Sequence, residues 1–193
     1  MHIFTHRFIK DLIISFFFLL FVYLITHNSI VQPKPKETNG LWHIEKLQHP
    51  LLFGLVGHNY LVLKDPNENI VSEFHGLATD ALNSGWKHIG SSRTDLLKVW
   101  EFDGPRNYLA EKKYPGVIVS EGSEAEMRIF WTKARYCKDY INQRVIHYPL
   151  LGVSFNNETV NSNSVAYTLL MCMGIDSKHL GFLTPGDKVN LIR

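Results

Sequence analysis

The sequence contains little cysteine and no concentrated positive charge. Only two of its 193 residues are cysteine, too few for a multiple-disulfide framework, and Cys137 and Cys172 do not have Cys-x-x-Cys spacing. The 20 basic and 18 acidic residues nearly balance, and no Lys/Arg cluster is long enough to follow a phosphate backbone. Internal repeats and low-complexity tracts are also absent. We therefore predict no nucleic-acid partner, no metal and no cofactor.

One long hydrophobic run is present, and it lies near the N-terminus. Residues 12–26 read LIISFFFLLFVYLIT, without a charge, and they follow Arg7 and Lys10. This length falls between a signal-peptide core of about 7–15 residues and a membrane-spanning helix of about 17–25. In either case the basic flank stays in the cytoplasm and the remainder is exported. Because the possible cleavage sites are poor, an uncleaved anchor is favoured.

The run divides the chain into four parts, and it makes the membrane a partner through residues 12–26. The globular domain is expected outside the cytoplasm, periplasmic or extracellular, and it would be secreted if the run were cleaved. The predicted parts are a basic flank (1–10), a signal anchor or signal peptide (11–27), a linker with two prolines (28–45) and one globular domain (46–193).

The first half of the domain predicts strands. Leu51 to Leu63 suggests one apolar strand, or two short strands broken at glycine. Asp65-Pro66-Asn67-Glu68-Asn69 is a turn signal, and Ile70 to His75 returns as the second strand of a hairpin. Further strands are predicted at Val99–Phe102 and Gly116–Val119.

The second half predicts two helices. Ser123 and Glu126 form a capping-box signature, and apolar residues at helical spacing extend this helix to about Gln143. A second helix starts around Ser162 and ends at Gly174, a typical C-cap residue. The predicted fold class is thus α+β, an antiparallel sheet packed with helices and preceded by an N-terminal hydrophobic helix.

The two cysteines, Cys137 and Cys172, fall on the apolar faces of these two helices. An exported chain could oxidise them to a disulfide. Alternatively each is a small buried hydrophobic residue, and we favour this interpretation because sequence gives no distance between them.

A candidate site combines a helix start with two histidines. If the hairpin turn is centred between Pro66 and Asn67, His58 lies directly opposite His75, and neighbouring imidazoles can orient one another. Ser162 lies at the start of the second helix, where free N–H groups and the helix dipole favour a developing oxyanion. A serine there needs a general base to act as a nucleophile, and His58 is the candidate.

Three further residues are predicted to bind substrate. Asn161 and Asn163 could supply amide donors to a polarised carbonyl, and Tyr148 could line a cleft. Each of these residues also has a structural interpretation, because Ser and Asn are common helix caps and buried tyrosines are common core residues.

The order of these motifs resembles circularly permuted papain-like proteins, including NlpC-type hydrolases and lecithin:retinol acyltransferase-like proteins. In that group a histidine opens a strand, a polar residue follows on the next strand, and an Asn-Cys motif enters a later helix. Here Asn161-Ser162 stands where Asn-Cys is expected. The resemblance covers roughly residues 50–175, and it implies that His58 is the base and His75 the third polar member.

The serine at position 162 leaves two functions open. One is a membrane-anchored or exported hydrolase or acyltransferase that acts on an amide or ester through Ser162, His58 and His75. The other is a catalytically inactive papain-like binding domain tethered to the membrane, because a hydroxyl is a far poorer nucleophile than a thiolate. The substrate, whether small molecule, peptide or lipid, is not specified by the sequence.

Overall fold

The computed structural model describes residues 40–51, 56–87, 90, 93–104, 114–149, 152, 159–178, 180 and 184–192. This part of the chain is α+β, as predicted. Six strands are followed by two helices: β1 (Trp42–Leu51), β2 (Val56–Lys64), β3 (Ile70–Thr79), β4 (Trp86–Lys87), β5 (Leu96–Asp103), β6 (Gly116–Gly122), α1 (Glu124–Gln143) and α2 (Ser162–Met173).

The predicted N-terminal hydrophobic segment, residues 11–27, lies outside the described residues. Of the two helices in the described part, neither is long and apolar enough to cross a membrane.

The strands form one antiparallel sheet in the order β5-β3-β2-β1-β6, and the short β4 pairs with the last two residues of β3. Strand β1 begins at Trp42, so the last residues of the stretch that the sequence assigns to a linker belong to the sheet. Its sequence, WHIEKLQHPL, mixes charged and apolar residues without a strong strand signal.

The predicted turn joins β2 to β3. One carboxylate oxygen of Asp65 accepts the backbone N–H groups of Asn67 and Asn69 at 2.9 and 2.8 Å, and Glu68 adopts a left-handed conformation with φ 65°. These bonds are those of an Asx turn. The β2–β3 register is irregular next to this turn. Leu63 pairs with Ser72 and Lys64 pairs with Ile70, so β3 has one extra residue between these two pairs.

Both helices cover the same face of the sheet. Apolar side chains at alternate strand positions, such as Leu61 and Leu63, join residues of α1 and α2 in the main core. Trp131 of α1 is fully buried and stacks on Phe74 of β3 with ring centroids 4.4 Å apart. The intervening strand positions, including Tyr60 and Val62, form a second, smaller cluster on the opposite face.

The helix ends follow the predicted capping chemistry. Ser123 and Glu126 bond each other's backbone N–H groups at the start of α1, which ends at Gln143. Asn161 caps α2, whose first residue is Ser162, and Gly174 closes it in the left-handed conformation with φ 79°.

Cys137 and Cys172 form a disulfide that joins α1 to α2, with Cα atoms 6.5 Å apart. The expectation that each is an unpaired hydrophobic residue is therefore wrong. The pairing depends on how α1 packs against α2, and the sequence separation of 35 residues carries no information about that distance.

Candidate functional site

The two predicted histidines come together on neighbouring strands. Nε2 of His58 lies 3.3 Å from Nδ1 of His75, and the rings are nearly parallel with centroids 5.6 Å apart. Both side chains are buried, with His58 6% and His75 0% exposed. The predicted proximity of these imidazoles is confirmed.

Their register differs from the one predicted. The β2–β3 ladder pairs Leu61 with Phe74, and continuing it by one residue places Tyr60, not His58, opposite His75. The rings of Tyr60 and His75 accordingly stack with centroids 4.5 Å apart. The predicted register was wrong by two residues, an even number, so His58 and His75 still lie on the same face of the sheet.

Glu73 extends the histidine pair into a hydrogen-bonded series of three side chains, and it was not predicted from the sequence. Its Oε2 lies 2.9 Å from Nε2 of His75, and the side chain is almost fully buried. Glu73 and His75 are two residues apart on one strand, which places both side chains on one face. That spacing was the signal available in the sequence.

The contacts accommodate one set of tautomers for neutral histidines. If Nε2 of His75 carries the proton that bonds to Glu73, then Nδ1 of His75 accepts the Nε2–H of His58. The lone pair of His58 then resides on Nδ1. A carboxylate that orients one imidazole, which orients a second, is an arrangement that suits a general base.

The start of α2 forms a second polar group. The side-chain oxygen of Asn161 accepts the N–H of Asn163 at 2.8 Å, and its amide nitrogen donates to the carbonyl oxygens of Gly152 and Pro185. Asn163 donates to Pro185 as well, at 3.1 Å. These amide groups therefore hold the helix start and the turn at residues 184–187 together.

Ser162, the first residue of α2, interacts with Tyr148. Both residues are buried, 5% and 6% exposed, and the hydroxyl and backbone N–H of Ser162 bond the phenolic oxygen. Burial raises the pKa of the Tyr148 phenol, and the bonds from Ser162 oppose this only in part. Tyr148 is therefore protonated at neutral pH and can act as a hydrogen-bond donor.

Two contacts tie the start of α2 to the strands that carry the histidines. The side-chain oxygen of Asn163 accepts the backbone N–H of Asn59, the residue after His58, at 2.8 Å. The Cα of Ser162 packs against Gly76, the residue after His75, where a Cβ would lie only 2.8 Å away. The β2–β3 ladder ends at Leu61↔Phe74, so α2 begins where these strands no longer pair.

The six predicted site residues thus form two groups. Asn161, Ser162, Asn163 and Tyr148 lie together on the helix-covered side of the sheet. His58 and His75 stack with Tyr60, which belongs to the cluster on the opposite face. Within the described ranges, the Ser162 hydroxyl pairs with Tyr148 rather than with an imidazole.

No cluster of metal-binding side chains occurs among the residues with described positions. The described part of the chain is an α+β fold with two polar groups, and α2 begins beside the ends of β2 and β3 that carry the two histidines. No family model matches the chain, and comparisons with curated proteins and with solved structures return no significant match.

Proposed function

We propose that this protein is an exported or membrane-anchored hydrolase or acyltransferase of the permuted papain-like type, with Ser162 as nucleophile. The observation that carries the proposal is the hydrogen-bonded chain Glu73–His75–His58. His58, at one end of this series, directly precedes Asn59. The backbone N–H of Asn59 donates to the side chain of Asn163 in α2, the helix that bears Ser162. His58 is the general base, and His75 orients it.

Ser162 and His58 lie on opposite faces of the sheet, so this reaction requires the start of α2 to move past the end of the β2–β3 ladder, where the Ser162 hydroxyl can leave Tyr148 and reach an imidazole nitrogen of His58. His58 takes the hydroxyl proton as the oxygen attacks the substrate carbonyl carbon. The backbone N–H of Ser162 and the O–H of Tyr148 donate to the resulting oxyanion. His58 then protonates the leaving alcohol or amine, and water or a second nucleophile releases the acyl group from Ser162.

The disulfide between Cys137 and Cys172 supports the proposed location of the domain. Disulfides form and persist in oxidising compartments and are rare in the cytosol. An anchor at residues 12–26 with the domain outside the cytoplasm is consistent with this bond. The acyl substrate is a small molecule, a peptide or a lipid.

A fluorophosphonate probe tests the nucleophile, because it labels only activated serine hydroxyls. We expect the full chain to be labelled and the Ser162→Ala and His58→Gln variants to lose labelling. Two controls should keep it: Ser123→Ala, which removes another helix-start serine, and His147→Ala, which removes an exposed histidine. Labelling that survives in both site variants would contradict the proposal.

A second candidate function is a non-catalytic binding domain of the same fold. The observation that favours it is the pairing of the Ser162 hydroxyl with Tyr148, together with the position of the histidines on the other face of the sheet. The Ser162→Cys variant separates the two candidates. Gain of thiol-dependent ester hydrolysis indicates a competent site, whereas no activity in either form favours binding alone.

A further inference from the structure

The outward face of α1 carries an unusual amount of apolar surface. Ile129, Tyr136 and Tyr140 are 58%, 72% and 46% exposed. Their spacing of seven and four residues places them within about 40° of one another around the helix axis. Together with Lys133, which falls on the same face, we call these residues the α1 stripe. The opposite side of α1, including Trp131, is buried in the core.

Basic groups accompany the stripe. Nζ of Lys133 lies 5.3 Å from the ring centroid of Phe130, and the guanidinium of Arg144 lies 6.0 Å from that of Tyr140. Tyrosines beside lysine and arginine stems are typical of helices that lie in a membrane interface, where the ring and the stem are apolar and their ends remain in water.

The chain enters the domain beside this stripe. Trp42, the first residue of β1, lies under the guanidinium of Arg128 of α1, 5.0 Å from it, and Arg128 directly precedes Ile129. Leu41, just before β1, is 38% exposed. Residues 27–41 connect this point to the predicted anchor and can span at most about 50 Å.

We propose that the α1 stripe docks onto the membrane–water interface of the bilayer that holds residues 12–26. The proposal rests on the predicted anchor and is independent of catalysis at Ser162. Three apolar side chains bind a bilayer only weakly by themselves. A short tether raises their effective concentration to the millimolar range, so that weak docking suffices to orient the domain.

Photo-crosslinking of the full chain in vesicles of phosphatidylcholine and phosphatidylglycerol tests the proposal. A benzophenone amino acid replaces Tyr136 or Tyr140, and Leu82 serves as the control because it is 90% exposed and lies outside α1. We expect severalfold more lipid adduct from positions 136 and 140 than from position 82.

A charge variant supplies the matched comparison. Lys133→Glu should lower the lipid adduct at position 136 severalfold, whereas Lys188→Glu, on an exposed C-terminal turn, should leave it unchanged. Three results would overturn the proposal: equal lipid adducts at 82 and 136, crosslinks at 136 that join two protein chains, or extraction of the full chain from vesicles by alkaline carbonate.

Discussion

Gly76 sets how closely α2 approaches the sheet. A Cβ there would lie 2.8 Å from the Cα of Ser162 and from the Cβ of Val165. Because a backbone atom of a helix cannot rotate away, any side chain at position 76 would displace the start of α2. Glycine at this position is therefore explained by close packing.

We expect Gly76→Ala to lower the free energy of unfolding by about 1–3 kcal/mol, the usual cost of overpacking. Urea denaturation followed by circular dichroism measures this change. Gly85→Ala is the control, because a Cβ at Gly85 meets nothing within 4 Å. Equal stability of the two variants would show that α2 can move at no cost.

Individual site residues were predictable to different degrees. The approach of His58 to His75 followed from a turn signal and strand alternation, and it survived a register error because the error was even. Glu73 and the bond between Tyr148 and Ser162 were not predicted. The latter joins residues that share no secondary-structure element, so no local pattern encodes it.

At the scale of elements, one carboxylate of β5 binds three side chains of α1. Glu101 of β5 accepts hydrogen bonds from Trp131, Arg135 and Lys138 of α1, at 3.1, 2.8 and 3.1 Å. Burial acts to raise the pKa of Glu101, but the hydrogen bonds and charges of Arg135 and Lys138 outweigh it and hold the pKa below its ordinary value.

This lowered pKa makes the attachment sensitive to acid. The folded state favours the carboxylate, so its stabilisation is complete above the unfolded pKa of about 4.3 and is lost as pH falls through the lower folded value. We expect Glu101→Gln to be less stable than the parent at pH 7, with a difference that shrinks towards pH 2. Thermal unfolding over this range measures it.

Glu124→Gln is the control for this experiment. Glu124 pairs with Arg128 on the exposed surface of the same helix, where an ion pair contributes little. The Glu124→Gln variant should have the same stability as the parent at every pH. A Glu101→Gln difference that stays constant from pH 7 to pH 2 would contradict the proposed role of the carboxylate.

The disulfide links the two helices and closes a loop of 35 residues. Loop-closure entropy for that length corresponds to about 4 kcal/mol of stability. We expect Cys137→Ala combined with Cys172→Ala to lower the free energy of unfolding by up to this amount. Dithiothreitol should lower the melting temperature of the parent, and the double variant should be insensitive to it. Equal sensitivity would mean that the bond does not form.

At the scale of the whole molecule, one buried lysine connects the sheet to the C-terminal segment. Lys46 of β1 is 0% exposed, and its Nζ bonds Asp187 at 2.8 Å, the carbonyl of Lys178 and the hydroxyl of Ser177. Asp187 also accepts the side-chain amide of Asn59 at 2.9 Å. Pro185, in the same turn as Asp187, accepts hydrogen bonds from the side-chain amides of Asn161 and Asn163 at the start of α2.

We expect Lys46→Met to lower the free energy of unfolding by about 3–5 kcal/mol, because it leaves the largely buried Asp187 carboxylate without its cation. Chemical denaturation measures the loss, and Lys188→Met provides an exposed neighbouring lysine as control. A loss of similar size in both variants would rule out the buried pair as the cause.

The sequence by itself determined the α+β class, the hairpin turn, both helices with their caps, and the nearness of two histidines. Each of these follows from turn, capping and periodicity patterns, which act within one helix or one hairpin. The tertiary structure alone decided the disulfide, the Lys46–Asp187 pair, the bond between Tyr148 and Ser162, and the division of the polar residues between two faces of the sheet. Those features join residues that share no helix or hairpin, and only packing sets the distances between them.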